Sequence, residues 1–112
     1  MLEYDKPVAE VPRVSGKPQP GEDAAVVKAR SAYAVGNQRL FTGDAAGAIT
    51  AYRESLRNYP GYVAGYRGLG LAYAQLGDKT KSMQSLKLYV AAVPNARDVL
   101  LIKKRIARLS AE

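Results

Sequence analysis

Arg97, Lys103, Lys104, Arg105 and Arg108 gather five cations into one short stretch, the densest set of chemistry-bearing side chains in the sequence. Guanidinium and ammonium groups at that density can contact phosphates or an acidic surface, and such binding weakens steeply with salt. Catalysis has far less to draw on. The sequence contains no histidine and no cysteine, which removes the usual base near neutral pH, the thiolate nucleophile and the common soft metal ligands. Seven acids lie beyond residue 21, widely spaced and with nothing evident to shift their pKa values, so general acid–base work has no support. Gly36, Gly68 and Gly70 stand inside helical patterns rather than between a strand and a helix, so no phosphate-cradling loop is formed. The expectation is a non-catalytic protein with no metal and no cofactor.

The elements that position these side chains are marked by a repeat. Gly36, Gly43, Asp44 and Pro60 recur as Gly70, Gly77, Asp78 and Pro94, each displaced by 34 residues. A period of that length is typical of helix-turn-helix units that stack and bury a shared apolar core. In the second copy, Tyr66, Leu69, Gly70 and Tyr73 fall along one helical stripe. Gly77 then breaks the helix, and Asp78 stands where an N-cap accepts the first free N–H groups of the next. Met83, Leu86, Tyr89, Val90 and Val93 continue at helical spacing until Pro94, which cannot donate to the preceding turn. Five helices are expected, at 22–42, 45–58, 62–76, 79–93 and 96–110. Glycine at 36 and 70 allows the two helices of a unit to approach closely. Ala48 and Ser82 serve the same contact, and Tyr52, Tyr66, Tyr73 and Leu86 fill the wider gaps.

This pattern resembles the tetratricopeptide repeat, in which a large aromatic, Leu-Gly and Tyr mark the first helix. The second helix there carries a small residue, a large apolar residue and a terminal proline, matched here by Ser82, Leu86 and Pro94. The first copy is looser. Val35-Gly36, Gly43-Asp44, Ala48, Tyr52 and Pro60 fit, while Ala32 and Arg39 replace two large aromatics. The resemblance implies an all-α fold of antiparallel hairpins stacked as a short right-handed solenoid. Two repeats, at about 29–62 and 63–96, would be followed by a C-terminal capping helix at about 96–110. In that helix Val99, Ile102, Ile106 and Leu109 form the apolar stripe. Strict repetition would instead place Leu100 in the aromatic position. Leu101 sits within the basic face, as an ordinary exposed leucine or as a contact with a partner.

In the family the first helix of each pair lines a concave groove. The residues so implied are Arg30, Tyr33, Asn37 and Phe41 in the first helix, with Arg67, Leu71 and Gln75 in the third. Arginine forks suit carboxylates, and tyrosine is a rigid contact of low entropic cost. The resemblance therefore implies a peptide-binding scaffold taking an extended segment of acidic and apolar character. Arg30→Glu with Arg67→Glu would then abolish binding while leaving helicity unchanged. Some family members clamp the C-terminal carboxylate of chaperones with lysine, asparagine and arginine from three successive first helices. Asn37 matches, but Tyr33, Gly68, Asp98 and Ile102 stand at the other places, which excludes that clamp.

Residues 1–21 hold four of the six prolines and their charges cancel, as expected of an extended linker. A sharper alternative has Val8 to Val14 lying back in the groove. The net charge of +7 thus falls on the helical domain, 22–112. That charge supports a competing reading, a nucleic-acid or acidic-surface module acting through the C-terminal helix, although no aromatics interleave its basic face for base stacking. No apolar run approaches the ~20 residues of a membrane span. The tether implies a recruiting part of a larger protein, the alanine-, glycine- and arginine-rich composition a bacterial one, and the absence of leader and span a cytoplasmic one. Because about three repeats are usual for stability, two hairpins and a cap also imply self-association or support from a neighbouring domain.

Overall fold

The computed structural model describes residues 23–112, which form α1 (Ala24–Phe41), α2 (Ala45–Asn58), α3 (Ala64–Leu76), α4 (Lys79–Ala92) and α5 (Val99–Ala111). The linker at 1–21 and the suggested docking of Val8 to Val14 lie outside the described residues.

The two hairpin turns are built alike because their local chemistry is alike. Gly43 and Gly77 take φ values of 89° and 85°, a left-handed conformation that costs glycine nothing. At each turn the N–H groups reach back to the ending helix. Gly43 and Asp44 donate to the carbonyls of Leu40 and Arg39, and Gly77 and Asp78 donate to those of Ala74 and Tyr73. This is the Schellman arrangement, and it satisfies carbonyls that would otherwise have no partner. The aspartate then opens the next helix. Asp44 accepts from the Gly47 N–H at 2.9 Å, and Asp78 accepts from the Lys81 N–H at 3.1 Å. Each such cap is worth about 1 kcal/mol. Asp23 does the same for α1, accepting from Ala25 at 2.8 Å.

Packing follows the chain: α1 on α2, α2 on α3, α3 on α4 and α4 on α5, with α1 also touching α3. The close approaches fall at the repeated pair Gly36 and Gly70 and at Gly68, whose counterpart in the first copy is Ala34. A Cβ at Gly36 would lie 2.5 Å from the Tyr52 ring, and one at Gly68 would lie 2.5 Å from the same ring. Tyr52 of α2 is therefore gripped between α1 and α3 and is fully buried. At Gly70 the neighbour is Leu86 of α4. Two buried serines stitch the same contacts, since Ser55 donates to the Ala29 carbonyl at 2.8 Å and Ser82 to the Gly70 carbonyl at 2.7 Å.

Three helix starts differ from the expected ones, and the first, expected at 22, falls at Ala24 because Asp23 caps α1 from outside it. The stretch before α3 is a turn, in which Tyr62 donates to the Tyr59 carbonyl and Gly65 to that of Tyr62. The start at 62 moves to Ala64, since Tyr62 is drawn into the core as a turn residue. The start at 96 moves to Val99, because 93–98 forms another turn in which Ala96 donates to Val93. In α5, Val99 and Ile102 are buried, Ile106 and Leu109 are half-buried, and Leu100 is exposed. Val99 and Ile102 stand one period beyond the buried Gly65 and Gly68, so the apolar stripe and the 34-residue register agree on its rotation, with Leu100 at the aromatic position left exposed. Tyr89 of α4 donates to Asp98 beside the start of α5, while Lys79 at the start of α4 pairs with Glu112 at 3.1 Å. The two helices thus run antiparallel.

Candidate functional site

The first helices of the hairpins leave an open cleft of about 270 Å³, lined by Leu40 of α1, Leu71, Ala74 and Gln75 of α3, and Arg105 of α5. These positions are repeat equivalents. Residues 37, 71 and 105 are successive at the 34-residue offset, and so are 40, 74 and 108. Leu71 is half-buried, Gln75 is exposed, and Arg105 is half-buried. The cleft therefore combines an apolar floor with an amide and a cation.

The structure distributes the expected groove residues unevenly. Leu71 and Gln75 line the cleft, and Phe41, at the end of α1 beside Leu40, is 90% exposed. Asn37 is exposed, but its Oδ1 accepts from the Tyr52 hydroxyl at 2.6 Å. Arg30 is 8% exposed and hydrogen-bonds the Tyr62 hydroxyl. Tyr33 is 5% exposed, with its ring centroid 5.7 Å from that of Tyr52 and 5.5 Å from that of Tyr62. It is a core side chain and not the exposed aromatic anticipated. Arg67 donates from Nε to Oδ2 of Asp98 at 2.6 Å. Arg30, Tyr33 and Arg67, three of the expected groove residues, are thus already engaged in contacts within the protein.

The basic set divides too. Arg97, Lys103, Lys104 and Arg108 are exposed around α5, whereas Arg105 turns to the cleft. Leu40, Ala74 and Arg105 as lining residues of the cleft escaped the sequence reading. The signal was present, because Arg105 is one period beyond Leu71 and two beyond Asn37.

Electrostatics follow the packing. Burial pushes the Tyr52 and Tyr62 hydroxyls well above the ordinary tyrosine value, with Tyr33 adding to the effect in both. Arg67 opposes the shift at Tyr52, as Arg30 does at Tyr62. The Glu54 carboxyl is held low by hydrogen bonds from Arg57 and Asn58. Among the described residues no group of three or more His, Cys, Asp or Glu could hold a metal ion, and no helix is long and apolar enough to cross a membrane.

A second cleft, of about 280 Å³, lies between α2, α3 and α4. Arg53 donates there to the Tyr73 hydroxyl at 2.7 Å, and Lys81 stands 5.6 Å from the centre of the same ring.

Stacked helical hairpins, with glycine at the close contacts, aspartate at the caps and a cleft along the first helices, define a helical-repeat interaction module. The chain belongs to the tetratricopeptide repeat family, whose pattern matches residues 33–97, more than half of the sequence. Repeats of this family typically act in protein–protein interaction rather than catalysis. Helix α5 lies beyond the matched span. No curated protein and no solved structure gives a significant match to the chain.

Proposed function

We propose that this chain is a non-catalytic recruiting module that takes an extended segment of another protein, of acidic and apolar character, in the cleft between α1, α3 and α5. The carrying observation is the cleft itself: Leu40, Leu71 and Ala74 supply apolar contact, Gln75 an amide, and Arg105 a cation with no acid among the lining residues. An extended backbone can hydrogen-bond to the amide while an acidic side chain meets the guanidinium, and guanidinium–carboxylate pairing is directional. Phe41, standing out beside Leu40, supplies a further aromatic contact at the rim.

The test is selection of short peptides from a random display library against the intact chain. Enrichment of acidic-apolar sequences that lose binding to Leu71→Asp and to Arg105→Glu is the expected result. Peptides indifferent to both substitutions would overturn the reading. The alternative, phosphate binding through Arg97, Lys103, Lys104 and Arg108, predicts retention of an oligonucleotide at physiological salt.

A further inference from the structure

Positions 33, 67 and 101 form one column at the 34-residue offset, and the first two members show what the column does. Tyr33 of α1 packs against Tyr62, which leads into α3. Arg67 of α3 bonds Asp98, which leads into α5. In each case a residue on one first helix is covered by the approach to the next first helix. Leu101 of α5 is the third member. It is 68% exposed, its neighbour Leu100 is 71% exposed, and no helix follows α5 among the described residues.

A second column says what cannot cover it. Lys104 is the equivalent of Gly36 and Gly70, where an added Cβ would run into Tyr52 and Leu86 of the paired second helix. A lysine there excludes a paired second helix at that spacing. Helix α5 therefore extends the layer of first helices, and on its Lys104 side it admits a helix only at a wider spacing than the paired second helices take. The open side carries charge of one sign. Lys104 and Arg108 lie one and two turns beyond Leu101 on the same face, Lys103 lies beside Leu100, and all three are exposed. Asp98, one turn before Leu101, is committed to Arg67 and Tyr89.

We infer that the Leu100–Leu101 face of α5 docks a helix of a partner protein, laid across Lys104 between the two leucines. Its apolar stripe covers the two leucines, and its acidic residues face Lys103, Lys104 and Arg108. Charge complementarity selects this occupant. A second copy of the chain would set one basic face against another, and like charges across an interface are strongly disfavoured. A nucleic acid would leave two adjacent leucines against phosphate with no aromatic to stack a base.

The probe is a synthetic amphipathic helix of leucine and glutamate, with a lysine-for-glutamate counterpart, titrated into the intact chain and followed by backbone amide NMR shifts. The acidic helix is expected to shift α5 resonances around Leu101, and the basic helix to shift none. Leu101→Ser, at an exposed position that leaves folding intact by circular dichroism, should weaken binding at least about tenfold, as truncation of a central contact does. Lys104→Glu should weaken it and reduce its salt dependence. Leu71→Asp, which disables the cleft, should leave it unchanged, so this inference and the cleft reading fail separately. No binding, equal binding of both probes, indifference to Leu101→Ser, or loss with Leu71→Asp overturns the proposal. So does a dimer in sedimentation that Leu101→Ser dissolves, or retention of an oligonucleotide that Leu101→Ser weakens.

Discussion

Arg67 and Asp98 stand 31 residues apart and meet through a 2.6 Å hydrogen bond from Nε to Oδ2, with the Asp98 side chain only 17% exposed. The other carboxylate oxygen of Asp98 accepts from the Tyr89 hydroxyl at 2.8 Å. One carboxylate thus joins α3 and α4 to the entry of α5. The use has a local consequence, since α5 begins without a side-chain cap bond although Asp98 sits in the capping position. A cap is worth about 1 kcal/mol, while a hydrogen bond to a charged group contributes about 1.5–3 kcal/mol. Two long-range bonds outweigh one local one.

Asp98→Ala should therefore cost more stability than Arg67→Ala, at about 3 kcal/mol against about 1–2 kcal/mol. Urea denaturation measures both, and hydrogen exchange should show α5 amides opening before those of α2. An Arg67→Ala cost equal to that of Asp98→Ala would mean that Tyr89 contributes nothing to the junction.

Gly68→Ala should destabilise by about 2–3 kcal/mol, the range for overpacking a rigid core. The new methyl meets the buried Tyr52 ring at 2.5 Å, and Gly36 closes off retreat on the other side. Tyr52→Leu placed in the Gly68→Ala background should cost less than Tyr52→Leu alone, because it relieves the crowding. At Gly43 the space is open, and Gly43→Ala meets only the left-handed backbone, for about 1 kcal/mol. Thermal or urea midpoints of the variants separate the two causes.

Stability should fall as pH rises through the tyrosine range. The Tyr52 and Tyr62 hydroxyls stay protonated in the folded protein above the ordinary value of 10.0, chiefly because they are buried. Above about pH 10 the unfolded chain has released these protons and the folded chain has not. Folding stability then drops by up to about 1.4 kcal/mol per pH unit for each tyrosine. Below that pH these two groups contribute no slope. Urea titrations between pH 9 and 11 test this, and Tyr62→Phe should roughly halve the decline.

Arg30→Glu is expected to perturb folding and not just recognition. The substitution sets a carboxylate at a position 8% exposed, where the guanidinium now bonds the Tyr62 hydroxyl. Loss of at least about 2 kcal/mol should follow, from a charge buried without its partner. Unchanged stability by circular dichroism melts would return Arg30 to the surface and to the groove. Phe41→Ala, at 90% exposure, should leave the melt unchanged.

Turns, caps and helix ends were legible because their chemistry is local. Gly43-Asp44 and Gly77-Asp78 each act within one turn of chain, and α2 occupies the expected 45–58. The starts of α3 and α5 were not legible to the same degree. Tyr62 leaves the helix for a ring cluster with Tyr33, a residue of another helix, and no neighbour in sequence announces that. That Leu71 and Gln75 face the same side of α3 followed from helical spacing and that this side is concave from the family resemblance, whereas the buried state of Arg30 and Tyr33 depended on Tyr62.

By itself, the sequence determined that hairpins form, where they turn and which glycines lie at their contacts. A 34-residue period of glycine, aspartate and proline constrains backbone conformation directly. Only the tertiary structure decided how each helix is rotated about its axis, and hence which side chains line the cleft. One residue of helix is a turn of about 100°, and that angle is set by neighbours across the interface and not by neighbours along the chain. Tyr52, Tyr62 and Asp98 are those neighbours here. They draw Tyr33, Arg30 and Arg67 inward and leave Leu71, Gln75 and Arg105 lining the cleft.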